Sequence, residues 1–223
     1  MILADATTQA ADTAAIDGAY ASIENYYTKK ILTHGATPSG VDWESLATQE
    51  MRFVQLLRIC DFSRPFSLND LGCGYGAMLA FLSKRHRAAA IDYLGVDLSD
   101  KMVSTARRRW ARATNANFVI GRGAPRVADY SIASGIFNVK LDQPQDTWTT
   151  LIERTLGHLH SVSRVAFSVN FLTRLPPNSN CAPELYCADP EWWIDYCRQS
   201  FKVEVELLDN YGMREFTLHV RRG

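Results

Sequence analysis

The sequence predicts an α/β fold: a doubly wound, mostly parallel sheet with helices on both faces, an antiparallel hairpin at its C-terminal edge and a helical cap at the N-terminus. Three observations predict it. The segment Phe66 to Gly76, FSLNDLGCGYG, passes from an apolar run through Asp70 into a loop with Gly72, Gly74 and Gly76, and a helical stripe of Met78, Leu79, Phe81 and Leu82 follows. Strand-like runs then alternate with helical patterns as far as Phe201. The chain closes on two alternating runs, FKVEVELL and MREFTLHV, joined through Asn210-Tyr211-Gly212 in the manner of a hairpin.

Taken in order, residues 1 to about 14 are rich in Ala, Thr and Asp and predict a flexible start. Ile16, Tyr20, Ile23, Tyr27 and Ile31 recur every three or four residues, which predicts an amphipathic helix from Ala15 to His34-Gly35. A loop broken by Pro38 and Gly40 precedes a second helix from Glu44 or Ser45 through Cys60, stopped by Arg64-Pro65. Residues 1–60 are therefore read as a flexible start and helical cap, and 61–223 as the main domain. The first strand begins at Phe66. A second spans Ala88 to Val96 and ends in Asp97, and Ser99 caps a helix with the stripe Met102, Val103, Ala106 and Trp110. Asn117 to Ile120 reads as the third strand, Asp129 to Ser134 as the fourth and Arg164 to Phe171 as the fifth, with a helix capped by Asp146 before the fifth. The stretch 175–183, LPPNSNCAP, holds three prolines and reads as an irregular lid-like insertion. Asp189-Pro190 opens one more helix.

Glycines after the first strand remove Cβ atoms and permit φ > 0, so a flat or extended ligand can lie on bare backbone. A P-loop would close with Gly-Lys-Ser/Thr, which does not follow Gly76, and the spacing G-x-G-x-G departs from the dinucleotide fingerprint G-x-G-x-x-G. A carboxylate at the tip of the second strand, Asp97, offers two oxygens to the two hydroxyls of a ribose. At these residues, NDLGCGYG and YLGVDLSDKM, the chain resembles the class I S-adenosylmethionine (SAM)-dependent methyltransferases over roughly Arg52 to Arg222. The resemblance implies a seven-stranded Rossmann-like sheet. It also implies a SAM site in which Asp70, Gly72, Cys73 and Gly74 border the methionine part and Asp97 holds the ribose. Leu98 and Met102, just past that acid, are placed to sandwich the adenine. Family members often carry an acid for the adenine amino group after the third strand. Here Gly121-Arg122-Gly123 stands there, leaving Arg122 or the backbone to serve.

Ligands in an open α/β sheet sit beyond the carboxyl ends of the strands at the topological switch point, so Ser134 and Gly135 should border the place where methyl donor meets acceptor. From the cap, Tyr26 or Tyr27, Trp43 and Arg52 are candidates to face the pocket, Arg52 by pairing with the SAM carboxylate. Displacement at a sulfonium needs alignment and exclusion of water more than a base. His34 is the histidine to test as a base, and Asn138 and Lys140 are placed to orient a polar acceptor. The Asn/Asp-Pro-Pro-Tyr motif of nucleobase amino methylation is absent, and no carboxylate cluster predicts a metal.

Lys plus Arg number 24 and Asp plus Glu 24, so no global field draws the chain to nucleic acid or an anionic membrane. The five cysteines lack C-x-x-C spacing and predict reduced thiols in a cytoplasmic protein. No apolar run approaches a membrane span, and the N-terminus lacks the pattern of an export signal. A SAM-dependent methyltransferase acting on a small, planar or apolar acceptor fits these features best. An RNA or protein methyltransferase, an NAD-dependent oxidoreductase and a non-catalytic SAM-binding protein are the alternatives.

Overall fold

A computed structural model describes residues 2–174 and 180–223, with side chains described from residue 12 onward. Seven strands form one sheet in the order β3-β2-β1-β4-β5-β7-β6. They are β1 Phe66–Leu71, β2 Ile91–Asp97, β3 Ala116–Ile120, β4 Ala128–Ala133, β5 Ser163–Leu172, β6 Glu204–Leu208 and β7 Glu215–Arg221. The strands β1 to β5 pair in parallel, while β7 lies antiparallel between β5 and β6. The chain order reverses between β1 and β4, so the loops leaving these two neighbours open a crevice at their carboxyl ends.

Six helices cover the sheet: α1 Ile2–His34, α2 Leu46–Leu57, α3 Ala77–Arg85, α4 Asp100–Arg109, α5 Gln145–Ser161 and α6 Pro190–Phe201. Each face has its own core. On one, Ile16, Ile23, Trp148, Leu156 and Trp193 of α1, α5 and α6 pack on Val169, Phe171 and Phe216. On the other, Phe53, Leu56, Met78, Leu79 and Val103 of α2, α3 and α4 pack on Leu68, Tyr93 and Ile132. The central parallel strands β1 and β4 are buried on both faces, whereas the edge strand β3 is largely exposed.

The structure corrects several expectations. Helix α1 already begins at Ile2, not Ala15: an alanine-rich segment has high helix propensity, and the amphipathic stretch beyond it supplies the tertiary anchor. The two N-terminal helices also have different tasks. Only α1 crosses the crevice, whereas α2 is a layer helix on the sheet. Helix α5 follows Pro144, so Asp146 sits inside its first turn instead of capping it. Cys181 and Cys187 are joined by a disulfide, against the expectation of five reduced thiols: the chain turns back within six residues and brings their Cα atoms to 6.0 Å. Cys60, Cys73 and Cys197 are free and buried. The proposed lid at 175–183 lies partly outside the described residues. Beyond it, Lys140 and Leu141 donate backbone hydrogen bonds to Glu184, and Tyr186 donates one to Asn138, so the returning chain is fastened to the loop after β4.

Asp70, at the end of β1, is 2 % exposed and accepts a hydrogen bond from the Tyr93 hydroxyl. Burial raises its carboxyl from 3.8 to about 7, with Asp97 adding to the rise and the Tyr93 bond opposing it. A folded-state value above the unfolded one contributes stability that is fully present below about pH 4 and lost as pH rises through about 7. Asp70→Asn keeps an acceptor for Tyr93 and removes the charge that burial disfavours. Its melting temperature should match the parent at about pH 4 and exceed it by several degrees at about pH 8. Equal melting curves at both pH values would show that the carboxyl is not held neutral.

Candidate functional site

The crevice is closed from below by the first and fourth strand ends and from above by α1. The carboxylate of Asp97 fastens its parts together. One oxygen accepts from the Gly74 backbone N–H at 2.9 Å and the other from that of Ser99 at 2.9 Å. A carboxylate has about four acceptor positions, so acceptor capacity remains for the hydroxyls of a ribose. Burial raises this carboxyl to about 6, against the opposing hydrogen bonds from Ser99, Gly74 and Leu98. Ser99, which caps α4 through Met102, also meets the Thr28 hydroxyl of α1 at 2.6 Å. The roof is thus tied to the tip of β2.

Two glycines are required by close approach. Gly72 has φ +76°, and a Cβ there would stand 2.2 Å from Cγ2 of Ile136 in the loop after β4. Gly135 has φ +72°, and a Cβ there would stand 2.4 Å from Cζ2 of Trp43. Bare backbone at these positions lets the two loops and the Trp43 ring converge.

Of the residues singled out from the sequence, Tyr27, Gly72, Gly74, Asp97, Leu98, Met102, Gly121, Arg122, Ser134 and Gly135 line one cavity, joined by Val41 and Trp43. Asp70 and Cys73 lie beneath it, bordering a small recess under the glycine loop with Gly72, Gly74 and Ser134. The Ser134 hydroxyl has no partner among the described residues, which leaves a polar contact for a ligand on this floor.

Other candidates are placed elsewhere. Arg52 does not face this cavity. Its guanidinium clamps the Glu215 carboxylate at 2.6–2.8 Å and donates to the Thr48 carbonyl at 2.7 Å, so it is not free for a cofactor carboxylate. Arg122, although it also lines the cavity, pairs with Asp17 and lies over the Tyr20 ring of α1, and so straps the roof. Tyr26 bonds Asp42, which also pairs with Lys30. His34 is exposed at the end of α1, away from this cavity. Lys140 donates to the Leu141 and Gln143 carbonyls at 3.4 and 3.2 Å and is tethered outside the cavity.

The structure also supplies residues that the sequence did not suggest. Tyr20, Ile23 and Glu24 of α1, Ile136, and Leu151 and Thr155 of α5 all line the cavity. The α1 set shares the stripe that runs from Ile16 to Ile31, so a helix face read as core packing carries the roof as well. Nothing in α5 marks Leu151 or Thr155 apart from other helix positions.

A second cleft, of about 610 Å³, adjoins the first and shares Tyr27, Val41, Trp43 and Gly135 with it. Beside the shared wall runs a polar chain, two of whose members, Arg52 and Glu215, line the second cleft. The Arg52 guanidinium lies 3.7 Å from the Trp43 ring centroid, Glu215 accepts from Arg52 and from Asn170 Nδ2 at 2.8 Å, and Asn170 Oδ1 accepts from the Gly135 N–H at 2.7 Å. Arg52, Glu215 and Asn170 are all buried, so this network fixes both the ring and the loop after β4. Asn138 lies at the same junction. Its Oδ1 accepts from the Leu172 N–H at 3.2 Å.

Residues 69–164 match a family model described as a methyltransferase domain. The chain is 44% identical over 167 residues to a putative methyltransferase of Mycobacterium tuberculosis, Rv1506c, covering 75% of this chain and 99% of that protein. Its fold is similar to magnesium protoporphyrin IX methyltransferase from Synechocystis, solved with bound S-adenosylhomocysteine (SAH). The TM-score is 0.56 at 15% identity, over 79% of this chain and 83% of the other. It is also similar to human N-acetylserotonin methyltransferase in complex with SAM, with a TM-score of 0.57 at 16% identity over 79% and 53% of the two chains. The G-x-G-x-G loop, the acid at the tip of β2, the sheet order and a relative matched over nearly its whole length agree: the chain belongs to the class I SAM-dependent methyltransferases.

Proposed function

We propose that this methyltransferase acts in the cytoplasm on a small organic acceptor with a flat or apolar body, bound in the cleft beside Trp43 and Tyr27. The observation that carries this reading is the shared wall: a cavity of cofactor character and an open cleft meet at Gly135, Tyr27 and Trp43. A cleft of about 610 Å³ is in the range of small-molecule sites.

In this reading Asp97 holds the ribose, the backbone from Gly72 to Gly74 borders the methionine part, Leu98 and Met102 flank the adenine, and the Ser134 hydroxyl meets a polar group of the donor. SAM supplies an activated methyl group. The chain aligns an acceptor atom with it and keeps water away, with Tyr20, Ile23 and Tyr27 of α1 as the water-excluding roof. Arg52 contributes at one remove, as the platform under Trp43. His34 and Lys140 have no part in this reading, because neither reaches the junction.

The test is a labelled-methyl assay in which SAM and the full chain are incubated with separated small-molecule, RNA and protein fractions of the source cell. Label is expected in the small-molecule fraction. Label confined to RNA or protein would overturn the reading.

A further inference from the structure

The acceptor side of the junction holds a buried hydrogen-bond donor with no partner among the described residues. Asn138 is 4% exposed, and its Nδ2 has no partner among the described residues. Its orientation is not arbitrary: Oδ1 is taken by the Leu172 N–H, so Nδ2 is the buried atom left without a partner, in a residue that borders the cleft. Nδ2 lies 3.6 Å from the position a Cβ on Gly135 would occupy, where the two cavities meet. A buried, unsatisfied donor costs about 1–3 kcal/mol, a cost that a ligand bearing lone pairs removes.

The side-chain acceptors deep in the cleft around Asn138 are engaged, which leaves Glu44 at the exposed rim. Asn170 Oδ1 holds the Gly135 N–H, Glu215 holds Arg52 and Asn170, and Asp42 holds Tyr26 and Lys30. An amine would therefore bring N–H groups against N–H groups. No histidine lines this cleft among the described residues, and its rim carboxylate, Glu44, is exposed to solvent. An acceptor that is already anionic needs no base. Arg214, which also lines the cleft, forms no ion pair among the described residues and adds an attracting charge.

We propose that the acceptor is an organic acid whose carboxylate oxygen receives the methyl group, with Asn138 Nδ2 holding that carboxylate. The inference rests on the small-molecule reading above and sharpens it. The carboxylate oxygen gives a lone pair to the methyl carbon, the carbon–sulfur bond breaks with its electrons passing to sulfur, and a methyl ester and a neutral thioether result. No proton is released, in keeping with a cleft that no histidine lines among the described residues.

Binding to the SAH complex of the full chain tests it without turnover. The probes are benzoate, 1-naphthoate and indole-3-acetate, each paired with the amine of the same ring and titrated to millimolar concentration by calorimetry. The acids are expected to bind and the amines not. Asn138→Asp keeps an oxygen for the Leu172 N–H and replaces the donors by a charge, so it should lose at least about tenfold in acid affinity. Its SAH affinity should stay within about twofold, which shows that the variant is folded. Amines binding as well as acids, no acid binding at all, or an Asn138→Asp variant that keeps its acid affinity would each overturn the proposal. In the labelled-methyl assay, small-molecule label released as methanol by mild alkali supports it. Alkali-stable small-molecule label overturns it yet leaves the small-molecule reading intact, and label absent from that fraction overturns both.

Discussion

Asp97→Ala should weaken SAM and SAH binding by about 2–4 kcal/mol, roughly 30-fold to 1000-fold. The sequence places an acid at the end of β2, and the structure shows why its loss acts twice. The carboxylate is the acceptor offered to a ribose and also the clasp that joins the Gly74 N–H of the first loop to the Ser99 N–H at the start of α4. Removing it takes away the bonding offered to the ribose and releases the loop on which the donor lies. The fold itself should survive, because β2 keeps its pairing with β1 and β3. Asp97→Asn should lose less, since the amide retains one acceptor oxygen. The pH dependence follows from the same group. Its carboxyl is raised to about 6, and the ionised form is the one that accepts from the ribose, so affinity should be level above about pH 7 and fall about tenfold per pH unit below about 6. Isothermal titration of the parent and both variants between about pH 5 and 8 checks this. An unchanged affinity in Asp97→Ala would mean that the ribose is held elsewhere.

Glu215→Ala should be the most destabilising single change considered, at about 3–5 kcal/mol. It leaves the Arg52 guanidinium, 8 % exposed, without a counter-charge, and strands Nδ2 of Asn170. For a chain of this size about 2–4 °C is lost per kcal/mol, so a fall of about 6–20 °C in melting temperature is expected. The double variant Arg52→Met with Glu215→Leu removes both charges together and should recover much of that loss, because a buried ion pair contributes little beyond an apolar pair of similar size. A double variant as unstable as Glu215→Ala would show that the pair's geometry, not the stranded charge, carries the stability. Methyl transfer should fall in both, since Gly135 is fixed through Asn170 and Trp43 rests on Arg52.

How much of this was legible in the sequence depends on how local each signal is. The strand, glycine loop and helix from Phe66 to Leu82 announce themselves within a few residues, as does the acid ending β2, because turn chemistry and periodicity are near-neighbour properties. The hairpin order at the C-terminal edge follows from alternation and a turn. The role of Arg52 was not legible: Glu215 lies 163 positions away, and nothing near either residue reveals a pairing made only when β7 inserts beside β5. Leu151 and Thr155 reach the cavity through packing of α5 against α1, which no motif encodes. The start of α1 was misjudged because low hydrophobicity was read as lack of order, although alanine-rich chain joined to an anchored helix extends it at little cost. The disulfide was missed because a spacing of six matches no familiar pattern, and its closure depends on how the returning segment meets the loop after β4.

Trp43 is a partition with two jobs. The ring borders both compartments where the reactants would meet, and it also lies against the guanidinium that neutralises Glu215. An engineer who trims this indole to admit bulkier acceptors also uncovers a charge that the interior tolerates only while shielded. Broader acceptor range and thermal robustness therefore trade against each other at this ring, and a redesign of specificity has to begin by replacing the pair beneath it.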